Sequence, residues 1–130
     1  MGLTHIAVTI RKFGSEGEQQ SYTATFLVDT GAIDSMVPAT VLKELGIEPT
    51  RKEWYEMASG KLEQFDVGHA FMAFLGTEIP GQIMFGPDDS EPILGVLALE
   101  AAGFVVDPVA ERLKKLPARS LKAMALKSVA

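Results

Sequence analysis

The chain reads as a mostly-β domain with two short helices. Three features lead there: two alternating apolar/polar runs near the N-terminus, turn-forming clusters at short intervals after them, and, before the Ala-, Lys- and Leu-rich segment beyond Pro117 with its marginal helical character, two places where helical spacing replaces the alternation. Its 130 residues suffice for one domain with a buried core, and 47% hydrophobic with 22% charged residues is a globular balance.

Leu3 to Ile10 alternates, with Ile6, Val8 and Ile10 on one face and His5, Ala7 and Thr9 on the other. The turn-rich residues 13–19 come next. A second run then sets Tyr22, Ala24, Phe26 and Val28 opposite Thr23, Thr25, Leu27 and Asp29, so the pair predicts a hairpin with Asp29 at the end of its second strand. Pro38 to Leu45, with Pro near the start, Val41, Leu42 and Leu45 on one stripe and Gly46 just beyond, predicts a short helix.

Strand patterning returns from Glu53 to Leu75 and breaks at Ala58-Ser59-Gly60, a hairpin tip. Ala70 to Leu75 is apolar on both faces and predicts a central strand. Gln82 to Phe85 is another short strand, and residues 86–92 form a loop. Ile93-Leu94-Gly95 leads into one or two helical turns over Val96 to Ala102. Phe104 to Val106 and Arg112 to Leu116 flank Asp107-Pro108 as a closing hairpin. The expected organisation is one domain over residues 1–116, followed by a basic tail over 117–130.

Charge and composition exclude several functions. Net charge is −5, but residues 1–110 hold six basic against sixteen acidic side chains, while residues 111–130 hold six basic against Glu111 alone. An acidic body repels nucleic-acid phosphate. No stretch approaches the length of a membrane helix, no signal peptide is expected, and the absence of cysteine excludes disulfides, thiolate metal sites and cysteine catalysis. A cytoplasmic location is the expectation. His5 reads as an exposed strand residue and His69 as a half-buried one, which makes no zinc site. Asp88, Asp89 and Glu91 lack calcium-loop spacing and read as a solvated loop. Trp54 and Tyr55 read as core or hairpin-root packing. No metal or cofactor is expected.

The chemistry concentrates in Phe26-Leu-Val-Asp-Thr-Gly-Ala-Ile-Asp-Ser-Met-Val-Pro38. An acid closes an apolar strand and is followed at once by Thr30 and by Gly31, which lets backbone approach the carboxylate. Read alone, an aspartate there also fits a turn or a cap. Two such aspartates brought together share one proton, so one acts as general base on a water and the other as general acid.

Leu27-Val28-Asp29-Thr30-Gly31-Ala32 resembles the active-site signature of retropepsin-like aspartic proteases of the single-lobe kind. Met57-Ala58-Ser59-Gly60 is similar to that family's flap tip, Ile93-Leu94-Gly95 to the element packed beside its catalytic loop, and Val96–Ala102 with Phe104–Pro108 to its short helix and closing strand. The resemblance implies a closed β-barrel of the acid-protease type, one lobe per chain. It implies an aspartic endopeptidase acting on peptide or protein substrates, with Asp29, Thr30 and Gly31 as the catalytic loop. One Asp-Thr-Gly per chain implies a homodimer that assembles the dyad across a two-fold axis. Ala32, Asp34, Ala58, Ser59 and Gly60 are then substrate-binding: Asp34 reaches substrate backbone or a charged group near the opposing subunit, and Gly60 offers its N–H to bound peptide. Read as residues alone, Asp34 is a surface turn carboxylate and Gly60 a hairpin glycine. Ile33 stands where viral enzymes commonly carry an acid, and the flap has fewer glycines than viral flaps. The alternative is a non-catalytic dimerisation or protein-binding module on the same fold.

Overall fold

Alternation in the first thirty residues produces the hairpin at once. In the computed structural model, which describes residues 4–14, 20–107, 109–110 and 112–118, β1 (Thr4–Arg11) pairs antiparallel with β2 (Ser21–Val28) from Thr4↔Val28 to Arg11↔Ser21. The predicted apolar face is the inner one: Val8, Ile10 and Phe26 are wholly buried. β3 (Ser35–Pro38) runs directly into α1 (Ala39–Glu44), which buries Leu42. Gly46, with φ +78, supplies the left-handed residue after the helix. At the other end the Asp88 carboxylate accepts the Thr40 N–H at 3.1 Å, so one member of the acidic loop serves the helix start.

β4 (Arg51–Glu56) and β5 (Leu62–Phe74) form the second hairpin, with Arg51↔Val67 and Glu56↔Leu62 at its ends. β5 then pairs with β6 (Thr77–Gly86) from Val67↔Met84 to Phe74↔Thr77. The two-residue connection Leu75-Gly76 has φ +50 and +78, the positive pair that a tight hairpin of this kind requires. Leu75 is therefore an exposed turn residue rather than the end of a central strand, while Ala70, Met72 and Phe74 are buried as expected. β6 also begins five residues earlier than the predicted Gln82–Phe85 strand. Proline and glycine disfavour strand interiors, but β3 reaches only Ile83–Gly86, so Pro80 sits where one side of β6 carries no β3 partner.

The short β7 (Ile93–Leu94) lies between β2, parallel to it, and β3, antiparallel through Met36↔Ile93. The sheet order is β1-β2-β7-β3-β6-β5-β4, and Thr9–Arg11 of β1 also pairs with Phe71–Ala73 of β5. The pairing thus returns on itself, with β4 outside the ring. α2 (Val96–Ala101) buries Ala98 and Leu99. β8 (Phe104–Asp107) and β9 (Arg112–Lys115) form the predicted closing hairpin as a separate two-stranded sheet. It is anchored by Phe104 against Phe74, with ring centroids 6.1 Å apart, and by Lys115 donating to the Ala102 carbonyl at 2.7 Å.

Two packing expectations are corrected. His69 is exposed rather than half-buried, because Gly68 and Ala70 take the inner face where β5 crosses the core. Trp54 is 62% exposed, and Tyr55, which packs inward, does so near the hairpin tip rather than at its root. No helix among the described residues is long and apolar enough to cross a membrane. Residues 15–19 of the expected first turn and, from residue 119 onward, the basic tail lie outside the described residues.

Candidate active site

The Asp29 loop begins where β2 runs out of core. Val28 is buried, and the next residue emerges partly exposed with its backbone still held: the Asp29 N–H donates to the Leu94 carbonyl at 3.0 Å, extending the β2–β7 pairing by one residue. The chain then turns. The Ala32 N–H donates to the Asp29 carbonyl at 3.2 Å, and the Gly31 N–H donates to Asp29 Oδ1 at 2.9 Å. A Cβ on residue 31 would lie 3.2 Å from that same oxygen, closer than ordinary contact, so glycine is what permits this approach. One carboxylate oxygen is thereby oriented by backbone. Thr30 is exposed beside it.

Beneath the loop lies the start of α2. The Val96 and Leu97 N–H groups, which have no partner within a helix, donate to the Ala32 and Ile33 carbonyls at 2.8 and 3.2 Å. Gly95 approaches the loop more closely still: a Cβ there would lie 2.6 Å from the carbonyl carbon and oxygen of Asp34 and 2.7 Å from the Ile33 oxygen. Its N–H donates to Ser35 Oγ at 3.0 Å, and Ser35 is 2% exposed. Sequence reasoning does not single out Ser35 as a site residue. The available signal is parity, since Ser35 and Val37 share an inward face and an inward hydroxyl requires a partner.

Asp34 is half-buried, and each of its carboxylate oxygens has a partner. Its Oδ2 accepts the Tyr55 hydroxyl at 2.6 Å and its Oδ1 accepts Gln82 Nε2 at 2.8 Å. Burial pushes the Tyr55 hydroxyl pKa well above its usual value. The hydrogen bond to Asp34 and the negative charges of Asp34 and Glu53 push the same way, against the opposing influence of Arg51. Sequence reasoning misses Tyr55 and Gln82 as partners of Asp34, because neither belongs to a local motif.

The hairpin tip falls at the predicted residues. Met57 N–H donates to the Lys61 carbonyl and Gly60 N–H to the Met57 carbonyl, both at 2.8 Å; Gly60 has φ +87, and Ala58, Ser59 and Gly60 are exposed. In this conformation the Gly60 N–H is already used by the turn. Tyr55, just before the tip, ties this hairpin to the loop that carries Asp29. Among the described residues no three His, Asp or Glu side chains gather as a metal site.

Comparison with known proteins gives the same reading of the fold. The solution structure of simian foamy virus (mac) protease superposes with a TM-score of 0.52 at 18% identity, over 75% of this chain and 92% of that one. A foamy viral protease–reverse transcriptase in complex with an RNA/DNA hybrid gives 0.53 at 13% identity, over 96% of this chain but 14% of that one. A retropepsin-like aspartic protease from Rickettsia conorii gives 0.48 at 19% identity, over 82% of this chain and 85% of that one. At such identities the first two likenesses concern the fold. No curated protein matches. A family model described as aspartyl protease matches residues 12–97, well over half the chain and including both the Asp29 loop and Gly95. By that match this chain belongs to the aspartyl protease family, and its fold is retropepsin-like.

Proposed function

We propose that the chain is an aspartic endopeptidase whose active unit is a homodimer, with Asp29 of each copy meeting at a two-fold axis. The observation that carries this reading is the Asp29 loop: a carboxylate at a strand end, oriented by the Gly31 N–H at 2.9 Å and braced from below by α2. The chain has one Asp-Thr-Gly, and an isologous dimer supplies the second without another gene. Ile33 and Leu97, joined through their backbones at 3.2 Å, are 64% and 48% exposed beside the loop. That apolar surface suits burial against a second copy.

In such a pair the two carboxylates, about 3 Å apart, hold one proton between them because both cannot ionise so close together. The ionised Asp29 takes a proton from a bound water as the water oxygen attacks the peptide carbonyl carbon. The protonated Asp29 gives its proton to the carbonyl oxygen, forming a neutral gem-diol. Collapse of the diol breaks the C–N bond, with a proton passing to the departing nitrogen. An extended peptide segment would lie beneath the β4–β5 hairpin, with Thr30, Ala32 and the tip residues Ala58, Ser59 and Gly60 around it. A mildly acidic optimum follows from the shared proton.

The test is digestion of a diverse peptide library at several pH values between about 4 and 7, read by mass spectrometry, with Asp29→Asn alongside and sedimentation to establish the oligomer. Cuts made by a dimer and lost in Asp29→Asn are the expected outcome. A dimer that makes no cut at any pH refutes the enzyme and leaves a dimerisation or binding module.

A further inference from the structure

The hairpin over residues 51–66 is less supported than the rest of the sheet. β4 pairs only with β5, and Leu62–Asp66 of β5 pair only with β4; contact with β6 begins at Val67. A two-stranded ribbon is marginal by itself in water and needs an anchor. Its cross-strand ion pair Lys52–Asp66, at 2.8 Å, joins the two strands to each other and not to the body.

Asp34 supplies the missing connection. Its backbone is immobilised, since the Asp34 carbonyl is packed against Gly95 and the neighbouring Ile33 carbonyl accepts the Leu97 N–H. From that fixed base one carboxylate reaches two other segments: Tyr55 of β4 at 2.6 Å and Gln82 of β6 at 2.8 Å. Both bonds are charge-assisted, the stronger kind. The Tyr55 ring is held in turn by Phe65 of β5, with ring centroids 6.0 Å apart at an edge-on 64°. Each carboxylate oxygen of Asp34 thus already holds a partner inside its own chain.

We infer that Asp34 is a positioning residue, fastening the β4–β5 hairpin close to its tip to the loop that carries Asp29, so that the hairpin is held in place over the site. The kinetic half of this inference rests on the protease reading; the structural half does not.

The experiment is amide hydrogen exchange by mass spectrometry on the full chain, comparing wild type with Asp34→Ala, Asp34→Asn and Tyr55→Phe, alongside peptide-cleavage kinetics. Losing a hydrogen bond to a charged group predicts exchange across residues 51–66 about tenfold faster in Asp34→Ala and Tyr55→Phe, with β1 and β2 unchanged. Asp34→Asn keeps both bonds in uncharged form and exchanges much closer to wild type than Asp34→Ala: its carbonyl oxygen accepts the Tyr55 hydroxyl, and its amide donates to Gln82 once the Gln82 amide is flipped. The hairpin acts on binding rather than on the reacting atoms, so KM rises in Asp34→Ala while kcat changes little, and Asp34→Asn restores KM. Unchanged exchange in Asp34→Ala overturns the inference. So does an Asp34→Asn that exchanges like wild type yet keeps the raised KM, because the charge itself then meets substrate. Should Asp34→Ala fail to fold, Tyr55→Phe, which keeps the ring packing, decides the matter. If wild type cleaves nothing, the protease reading falls and the exchange comparison still decides the tie.

Discussion

Replacing Gly95 by alanine tests whether the floor of the Asp29 loop is as tightly fitted as its geometry indicates. The backbone at Gly95 is ordinary, φ −89 and ψ 174, so alanine meets no conformational penalty there. The obstacle is space: the new methyl would lie 2.6 Å from the Asp34 carbonyl carbon and oxygen and 2.7 Å from the Ile33 oxygen, where ordinary contact is 3.4–4 Å. These are backbone atoms and cannot rotate aside. Displacing them pulls on the Val96 and Leu97 hydrogen bonds to Ala32 and Ile33 and on the Gly95 bond to Ser35. Overpacking of roughly 1–3 kcal/mol and one weakened buried hydrogen bond of roughly 1 kcal/mol give a loss of about 3 kcal/mol. That is a large part of a typical stability of about 5–15 kcal/mol. With a urea slope of about 2 kcal/mol/M, the unfolding midpoint falls by about 1.5 M. Gly60→Ala is the comparator. Its site has φ +87 but nothing within 4 Å, so only the left-handed conformation is penalised, at about 1 kcal/mol. A Gly95→Ala midpoint within roughly 0.2 M of wild type, or above that of Gly60→Ala, refutes the close-packing account.

Three further outcomes are expected. Ser35→Ala leaves the Gly95 N–H without its acceptor in a buried position and lowers stability by about 1–3 kcal/mol, read from the same urea transition. The Tyr55 hydroxyl has a folded pKa raised above its ordinary 10.0, so its contribution is complete below pH 10 and is lost as pH rises through the folded value; Tyr55→Phe removes that alkaline slope. Asp88 has a folded pKa below its ordinary 3.8, through hydrogen bonds from the Thr40 side chain and N–H. Its contribution is present above that ordinary value and is lost as pH falls through the folded one. Asp88→Asn, which still accepts the N–H but does not titrate, therefore loses less stability than wild type between roughly pH 5 and pH 2.

Much of the architecture is legible because it is written in short-range periodicity. Alternation locates β1 and β2, Pro38 and Gly46 bracket α1, and Ala58-Ser59-Gly60 marks a turn that needs a positive φ. The misreadings share one origin. Pro80 and Gly81 are breakers by local rule, yet both stand inside β6, where β5 supplies the pairing. His69 and Trp54 have strand-like patterning, but which face is wet depends on what crosses that face.

The Asp29 loop itself is encoded among near neighbours: an acid closing an apolar strand, then a threonine and a glycine. Alternation and turn chemistry act between residues a few positions apart, so the chain alone suffices to locate that loop. The support under the loop and the duty of Asp34 are of another kind, and only folding sets them. Gln82 lies 48 residues from Asp34, and Gly95 lies 60 residues from Ser35. Hydrogen bonds and steric contacts act over a few ångströms, so they carry no signature in the chain until folding brings such distant residues together.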